Sequence, residues 1–525
     1  MKAYQYETLE LVFEARPEHG SEAAIDLAAE FTVNGRTHTV KGFYAGNGQC
    51  KLRFLPEEAG QYRYVVRGLA EESGTVEVAP ARPGQHGIVR AQGIHFFYED
   101  STPYYGFGTT VYALAHQSDE LMDETIETLR SAPFNKIRMC VFPKHYSYNS
   151  NEPKYYAFEK TEDGRWDPSH PCFAFWDAFE KRLNQLFEIG IEVDLILFHP
   201  YDRWGFSSMP QKDNLIYLDY LLRRFAAYPK LWWSLANEYD LCPAKSMEDW
   251  HEIEQFVADH DPYHHLLSNH NCFMYYDASR ANISHMSWQT KQLSRIPEMQ
   301  QKFGKPVSID ECCYEGNLPD SWGAISGEEM TARFWRAMVR GASCTHGETF
   351  FPDETEIVWW ARGGKLTGRS PERIAFLRGI IEALPAPLEP QLSGLQKLAQ
   401  FIGVQGGEVE KVLGEQNVPE NMRFFMKSTL RMPREEAERF FACEPESFGR
   451  TADDSAILHY CDILCSCRTR MELPENKKYT IDVIDTWNMT RETVQTGACG
   501  TIWVELPSRP WMAVLAVEEK QNADC

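Results

Sequence analysis

The sequence predicts a multidomain chain of α/β and all-β class, a (β/α)8 TIM barrel flanked by an amino-terminal and a carboxy-terminal β-sandwich. Three observations predict it. Alternating segments broken by turn residues fill residues 1–88. Short apolar runs then alternate with amphipathic, helix-length segments over 89–390. Alternating segments return over 391–525.

In the first part, Glu30–Val33 runs into Asn34-Gly35, a pair that turns a tight hairpin because both residues tolerate positive φ. Glu58 to Tyr62, followed by Arg63–Val66, has the form of a tyrosine corner at the entry to a sandwich strand. This immunoglobulin-like unit is expected to end near Pro80–Gly84.

The middle part supplies eight candidate strands: Tyr105–Thr110, Lys136–Phe142, Val193–Phe198, Leu231–Leu235, His265–Ser268, Ile283–Ser287, Val307–Asp310 and Gly347–Phe351. Amphipathic stretches such as Phe175–Leu183 separate them, the spacing a barrel requires. Beyond the proline-rich stretch Pro385–Pro390, the segments Tyr479–Asp485 and Thr501–Leu506 alternate as half-buried strands do. Residues 405–450 fit no element.

Composition narrows the functional classes. With 53 Lys+Arg against 76 Asp+Glu and a net charge of −23, the chain lacks the basic footprint of a nucleic-acid binder. Hydrophobic residues at 43% and charged residues at 25% are ordinary for a globular protein with large cores. Aromatic residues reach 13%, which suits a protein that stacks rings on flat ligand faces. No apolar run approaches the roughly 18 residues of a membrane span. The segment Met1–Ala15 shows no signal-peptide pattern, so a cytoplasmic location is expected, with the 14 cysteines reduced. Homo-oligomers are compatible with this composition.

A barrel carries its chemistry where strands end. Leu231–Ala236 runs into Asn237-Glu238, and Val307–Ile309 into Asp310-Glu311. Three βα repeats fit between the two glutamates, placing them on the fourth and seventh strands, across the barrel mouth. Two carboxyl groups across one scissile bond are the requirement of glycoside hydrolysis, about 5–5.5 Å apart when configuration is retained. Asp310, Glu315 and Glu348 are nearby rivals for the inward position. Tyr201, Trp204 and Trp288 follow or end strands where a sugar ring stacks. Glu348 is read either as hydroxyl-binding, with His346, or as structural.

These motifs resemble clan A, the 4/7 superfamily of retaining glycoside hydrolases. Ser234–Asp240, Asp310–Gly316 and Thr345–Thr349, within the order sandwich–barrel–sandwich, are similar to a bacterial subgroup of glycosidases with this architecture. The resemblance implies Glu311 as nucleophile and Glu238 as acid/base. It implies that Asn237 binds the sugar 2-hydroxyl, Arg138 keeps the nucleophile ionised, and His199 lines the sugar site. His285 joins the expected substrate-binding set. Many clan members carry His-x-Tyr on the sixth strand, with the tyrosine touching the nucleophile. Here the run is His285-Met286-Ser287-Trp288, so that tyrosine's role falls to no assigned residue.

Other chemistries lack their motifs. Gly106–Val111 misses the third glycine of a dinucleotide fingerprint, and His251–Gln255 misses the second histidine of a zinc-protease helix. No cofactor and no metal is needed. The expected activity is retaining hydrolysis of O-glycosidic bonds in oligosaccharides or small glycosides. Transglycosylation through the same intermediate and non-catalytic carbohydrate binding are the alternatives.

Overall fold

The computed structural model describes residues 2–17, 20–351, 357–392 and 446–519, with isolated positions between 420 and 436. Most of the unplaced stretch 405–450 lies outside the described residues. The chain forms two compact units, one of Met1–Lys291, Phe303–Met330 and Ser343–Glu372, the other of Gln292–Lys302, Thr331–Ala342 and Arg373–Cys525.

The first unit begins with a β-sandwich. Its larger sheet orders Lys2–Tyr4, Glu72–Ala79, Gly60–Gly68, Leu27–Val33 and Arg36–Lys41 side by side; the smaller orders Leu9–Glu14, Gln49–Phe54 and Phe43–Tyr44. Every second residue of Leu27–Val33 is buried, and Phe31 stacks on Phe54 of the other sheet with ring centroids 4.0 Å apart. Asn34 and Gly35 turn the hairpin at φ 49° and 78°, the pair of positive values that a two-residue turn needs. The Tyr62 hydroxyl donates to the Glu58 carbonyl at 3.1 Å and accepts from its N–H at 3.2 Å, which makes the tyrosine corner.

Eight parallel strands form the near-closed barrel: β1 (Phe107–Thr110), β2 (Lys136–Cys140), β3 (Glu192–Phe198), β4 (Leu231–Ala236), β5 (Leu267–Ser268), β6 (Met286–Gln289), β7 (Val307–Glu311) and β8 (Ser343–His346). β1 pairs with β2 and β8, so the ladder is open only between β5 and β6. Side chains stitch that seam. Ser284 N–H reaches the Leu267 carbonyl at 2.9 Å, and Ser284 Oγ accepts the Leu267 N–H at 2.8 Å. At the opposite end the Asn271 amide brackets Gln289, accepting from its N–H at 3.1 Å and donating to its carbonyl at 3.4 Å.

Helices Asp119–Ser131, Phe173–Glu188, Gln211–Phe225 and Met247–His260 follow β1 to β4. The last begins with a capping box in which Ser246 and Asp249 satisfy each other's backbone N–H groups. Residues 269–285, between β5 and β6, contain no helix. Below the strands, Phe96 of the antiparallel pair Val89–Gln92 and His95–Tyr98 packs on Trp232 and closes the amino end of the barrel.

The eighth strand corrects the expectation. It is Ser343–His346, not Gly347–Phe351; Glu348–Thr349 instead makes a short bridge with Glu315–Gly316. The reason is the barrel interior, which is polar here, so the strand carries no apolar run. Thr345 donates to Asp310 at 3.2 Å, and His346 meets Thr109 at 3.2 Å. Around them Lys136 pairs with Asp310 at 2.7 Å and with Asp194 at 3.3 Å. Buried charges of this kind survive only when paired.

In the second unit a six-stranded antiparallel sheet runs Leu388–Gln391, Ser447–Thr451, Ala456–Asp462, Met512–Glu518, Tyr479–Asp485 and Thr490–Ala498, beside the pair Arg468–Glu472 and Thr501–Glu505. Tyr479, Ile481 and Val514 of the sheet share one apolar core with Met471 and Val504 of the pair. The proline-rich stretch therefore enters a strand directly. Trp335 stacks on Tyr460 at 5.4 Å, and Arg336 ion-pairs with Asp462.

Candidate active site

Glu311 is the last residue of β7, and a register shift sets it in place. Trp288 stands opposite Ile309, but the next residue, Gln289, stands opposite Glu311, so Asp310 is bulged out of the ladder. A bulge re-aims side chains, and both consecutive carboxylates here face inward. Asp310 joins Lys136, while Glu311 accepts a hydrogen bond from the Tyr112 hydroxyl. Arg138 Nη1 lies 3.9 Å from the same Glu311 oxygen.

Glu238 follows β4 and Asn237. Its backbone is left-handed, at φ 54° and ψ 57°, and its N–H meets Nδ1 of the buried His270 at 3.3 Å. The carboxylate accepts from the Tyr201 hydroxyl and from Asn237 Nδ2 at 3.3 Å. Arg138 links the two halves, because its Nη1 donates to the Tyr112 hydroxyl at 3.3 Å and to Asn237 Oδ1 at 3.4 Å. One chain of polar contacts thus runs Glu311–Tyr112–Arg138–Asn237–Glu238–Tyr201. Arg138 itself is fixed from below by Asp194, 3.3 Å from its Nε.

Burial, then the charge of Glu238, push the Glu311 carboxyl above its ordinary range; Arg138 and the Tyr112 hydroxyl oppose them. Asp310 is the contrast, because Lys136 and Arg138 overcome its burial and hold it well below the usual carboxylate range. Burial also keeps His199 neutral, lowered to about 4, with its Nε2 on the Phe142 carbonyl at 3.1 Å.

Aromatic side chains wall the pair. Trp360 contacts Tyr112, Tyr146 and Tyr314 with centroids 6.1, 5.0 and 5.4 Å away. Burial, then the Glu311 charge, push the Tyr314 hydroxyl well up, and its ring lies over Gly347, where any Cβ would sit 2.0 Å away.

Of the residues expected from sequence, the structure gathers Glu238, Glu311, Asn237, Arg138 and Tyr201 into one network. His199 lies close enough to Lys144, which shares that surround, for the lysine's charge to lower its pKa further. Trp288 is buried in β6 opposite Ile309. Three expectations need correction. His285 precedes β6 at the amino end of the barrel, packed on Phe96 and Trp232 at 5.4 and 5.5 Å. Glu348 is consumed by a loop, accepting from Thr367 N–H at 2.7 Å, Thr367 Oγ at 2.8 Å and Gly368 N–H at 2.9 Å. Trp204 is turned outward, its indole N–H on Glu152 at 2.8 Å and Arg203 over its ring.

Sequence reading missed Tyr112, Lys144 and Tyr314. Tyr112 alone carried a signal: it stands just after the first strand, and the nucleophile's tyrosine was lacking from the sixth. Among the described residues no group of three or more His, Cys, Asp or Glu is arranged to hold a metal ion.

The family model described as the apiosidase-like catalytic domain matches residues 91–361. Two domains of unknown function, DUF5060 and DUF5605, match residues 2–68 and 446–516. A crystal structure of a "putative glycoside hydrolase" from Bacteroides vulgatus ATCC 8482 is 31% identical, covers 99% of this chain and 100% of its own, and superposes with a TM-score of 0.83. A glycoside hydrolase family 5 structure from the same organism is 13% identical, covers 85% of this chain and 96% of its own, and has a TM-score of 0.58, a likeness of fold alone. Among curated proteins no match was found. With half the chain inside one family model and a full-length relative above 30% identity, the chain belongs to the apiosidase-like family and is a glycoside hydrolase.

Proposed function

We propose that the protein cleaves O-glycosidic bonds with retention of configuration, using Glu311 as nucleophile and Glu238 as acid/base. The observation that carries this reading is the polar chain joining the two glutamates, in which each carboxylate has its own tyrosine donor and Arg138 sits nearer Glu311. Arg138 and the Tyr112 hydroxyl oppose the burial that raises Glu311, and the ionised Glu311 carboxylate attacks the anomeric carbon. Glu238 passes a proton to the leaving oxygen as the glycosidic bond breaks. Formation of the glycosyl–enzyme bond removes the Glu311 charge. Glu238 then takes a proton from water as the water attacks, and the sugar leaves with its configuration restored. Asn237, bonded to both Arg138 and Glu238, is placed to meet the sugar 2-hydroxyl.

Short oligosaccharides and small glycosides are the proposed substrates. The family's name puts apiosides first in a panel that also holds xylosides, arabinosides and glucosides. The test is Glu311→Ala with and without azide, on whichever aryl glycoside the wild type turns over. Loss of turnover, with azide restoring it as the glycosyl azide of inverted configuration, is expected. Full activity without azide would remove Glu311 from the mechanism.

A further inference from the structure

Lys144 lies on the loop after β2 and is only 2% exposed. Among the described residues no carboxylate lies within ion-pairing distance of its ammonium. What surrounds it is aromatic: Nζ lies 3.6 Å from the centroid of Tyr112, 4.3 Å from that of Tyr201 and 5.0 Å from that of Tyr146. Two of these rings are the ones whose hydroxyls hold the glutamates, Tyr112 on Glu311 and Tyr201 on Glu238. The ammonium therefore sits between the two tyrosine supports of the proposed catalytic pair.

Ring faces attract a cation but accept few hydrogen bonds, so the cage holds the charge and leaves its N–H donors unmatched. A buried donor without an acceptor is costly. The other buried lysine of the barrel interior shows the contrast, since Lys136 donates to Ser308 at 3.1 Å and to Asp310 at 2.7 Å. Lys144 is as deeply buried and has no such partners, beside a pair of glutamates whose proposed ligand, a sugar, is rich in hydroxyl groups.

We propose that Lys144 binds the substrate, its ammonium donating to a hydroxyl of the sugar held between Glu238 and Glu311, and so helps to decide which sugar is accepted. This role rests on the reading of those glutamates as the catalytic pair. A hydroxyl turned toward the ammonium gains a charge-assisted bond; a sugar with hydrogen or an apolar group there leaves the ammonium unmatched. Lys144 also bears the same sign as Arg138, so its charge favours ionised carboxylates on both sides. That effect acts on every substrate alike, whereas a hydrogen bond acts on one hydroxyl.

The experiment uses this difference. Wild type and Lys144→Met are compared on one aryl glycoside and its set of monodeoxy analogues. Lys144→Met should lower kcat/KM on the parent by about 10- to 150-fold, the value of one hydrogen bond to a charged group. On one analogue, lacking the contacted hydroxyl, the gap between the two proteins should shrink to the charge effect that every substrate shares. Losses that multiply independently at every position would overturn the assignment, as would an unchanged parent rate in a variant that melts like wild type. Should the Met variant fail to fold, Lys144→Gln serves in its place. Calorimetry of the free monosaccharide reads the same contact without turnover. A sugar bound equally by wild type and variant overturns the role of Lys144 whether or not the glutamates react, while inert wild-type protein that still binds sugar through Lys144 would count against the catalytic pair alone.

Discussion

The hydroxyl of Tyr112 donates to the carboxylate of Glu311, and the tyrosine comes from the loop after β1, not from the sixth strand where many clan members carry theirs. β1 and β7 both border β8, so the substitute arrives from two strands away on the other side. A donor to a carboxylate favours its ionised form. Tyr112→Phe should therefore raise the acid limb of the kcat/KM profile to higher pH and lower the plateau by about 10- to 100-fold. A profile on aryl glycosides from pH 4 to 9 checks both; an unmoved limb would mean that the hydroxyl does not tune Glu311.

Glu238→Ala should separate substrates by leaving group. On a dinitrophenyl glycoside, which departs without help, formation of the glycosyl-enzyme should stay near the wild-type rate. On alkyl or sugar aglycones the loss should be about 100- to 10,000-fold, the usual worth of a positioned acid. Equal losses across a series of phenol leaving groups would argue against the acid role.

Glu348 distinguishes stability from chemistry. Its oxygens hold the 367–368 backbone, so Glu348→Gln puts an N–H group against existing donors. The expected cost is about 1–3 kcal/mol of stability, read as a lower Tm, with kcat/KM per folded molecule unchanged. A variant that melts normally but loses turnover would return Glu348 to the sugar site.

Glu192 opens β3 at the amino end of the barrel and is buried, its carboxyl accepting from the Trp232 indole at 3.2 Å. Burial pushes it up to about 8. A carboxyl raised in the folded state binds a proton that the unfolded chain has released, so its contribution to stability is full below about pH 4.5 and is lost as pH rises through about 8. Glu192→Gln keeps an acceptor for Trp232 and removes the titration. Its Tm relative to wild type should improve between pH 5 and pH 8.5, on the order of 2–4 kcal/mol in stability. A pH-independent difference would place the Glu192 proton elsewhere.

The glutamates were legible because each ends a strong apolar run and their interval fits three repeats. Asn237 and Arg138 were legible from the family likeness, and Tyr201 from its place just after a strand. His285 failed because the sixth strand is only four residues long and begins three residues later than its apolar pattern suggests, which leaves the histidine before the strand, at the wrong end of the barrel. Strand eight failed for want of apolar residues at a level where the interior is ionic. Lys144 sits on a loop and Trp360 in the short helix Trp359–Arg362, and only barrel closure brings both beside Tyr112.

Glu238 keeps a left-handed backbone that a side chain adopts at a cost of about 1 kcal/mol or more, and that glycine adopts freely. Under the proposed mechanism, folding and turnover are thus opposed at this one position. A library sorted for heat resistance alone would enrich Glu238→Gly and harvest sturdy, silent protein, so any breeding of this scaffold has to score sugar release at every round.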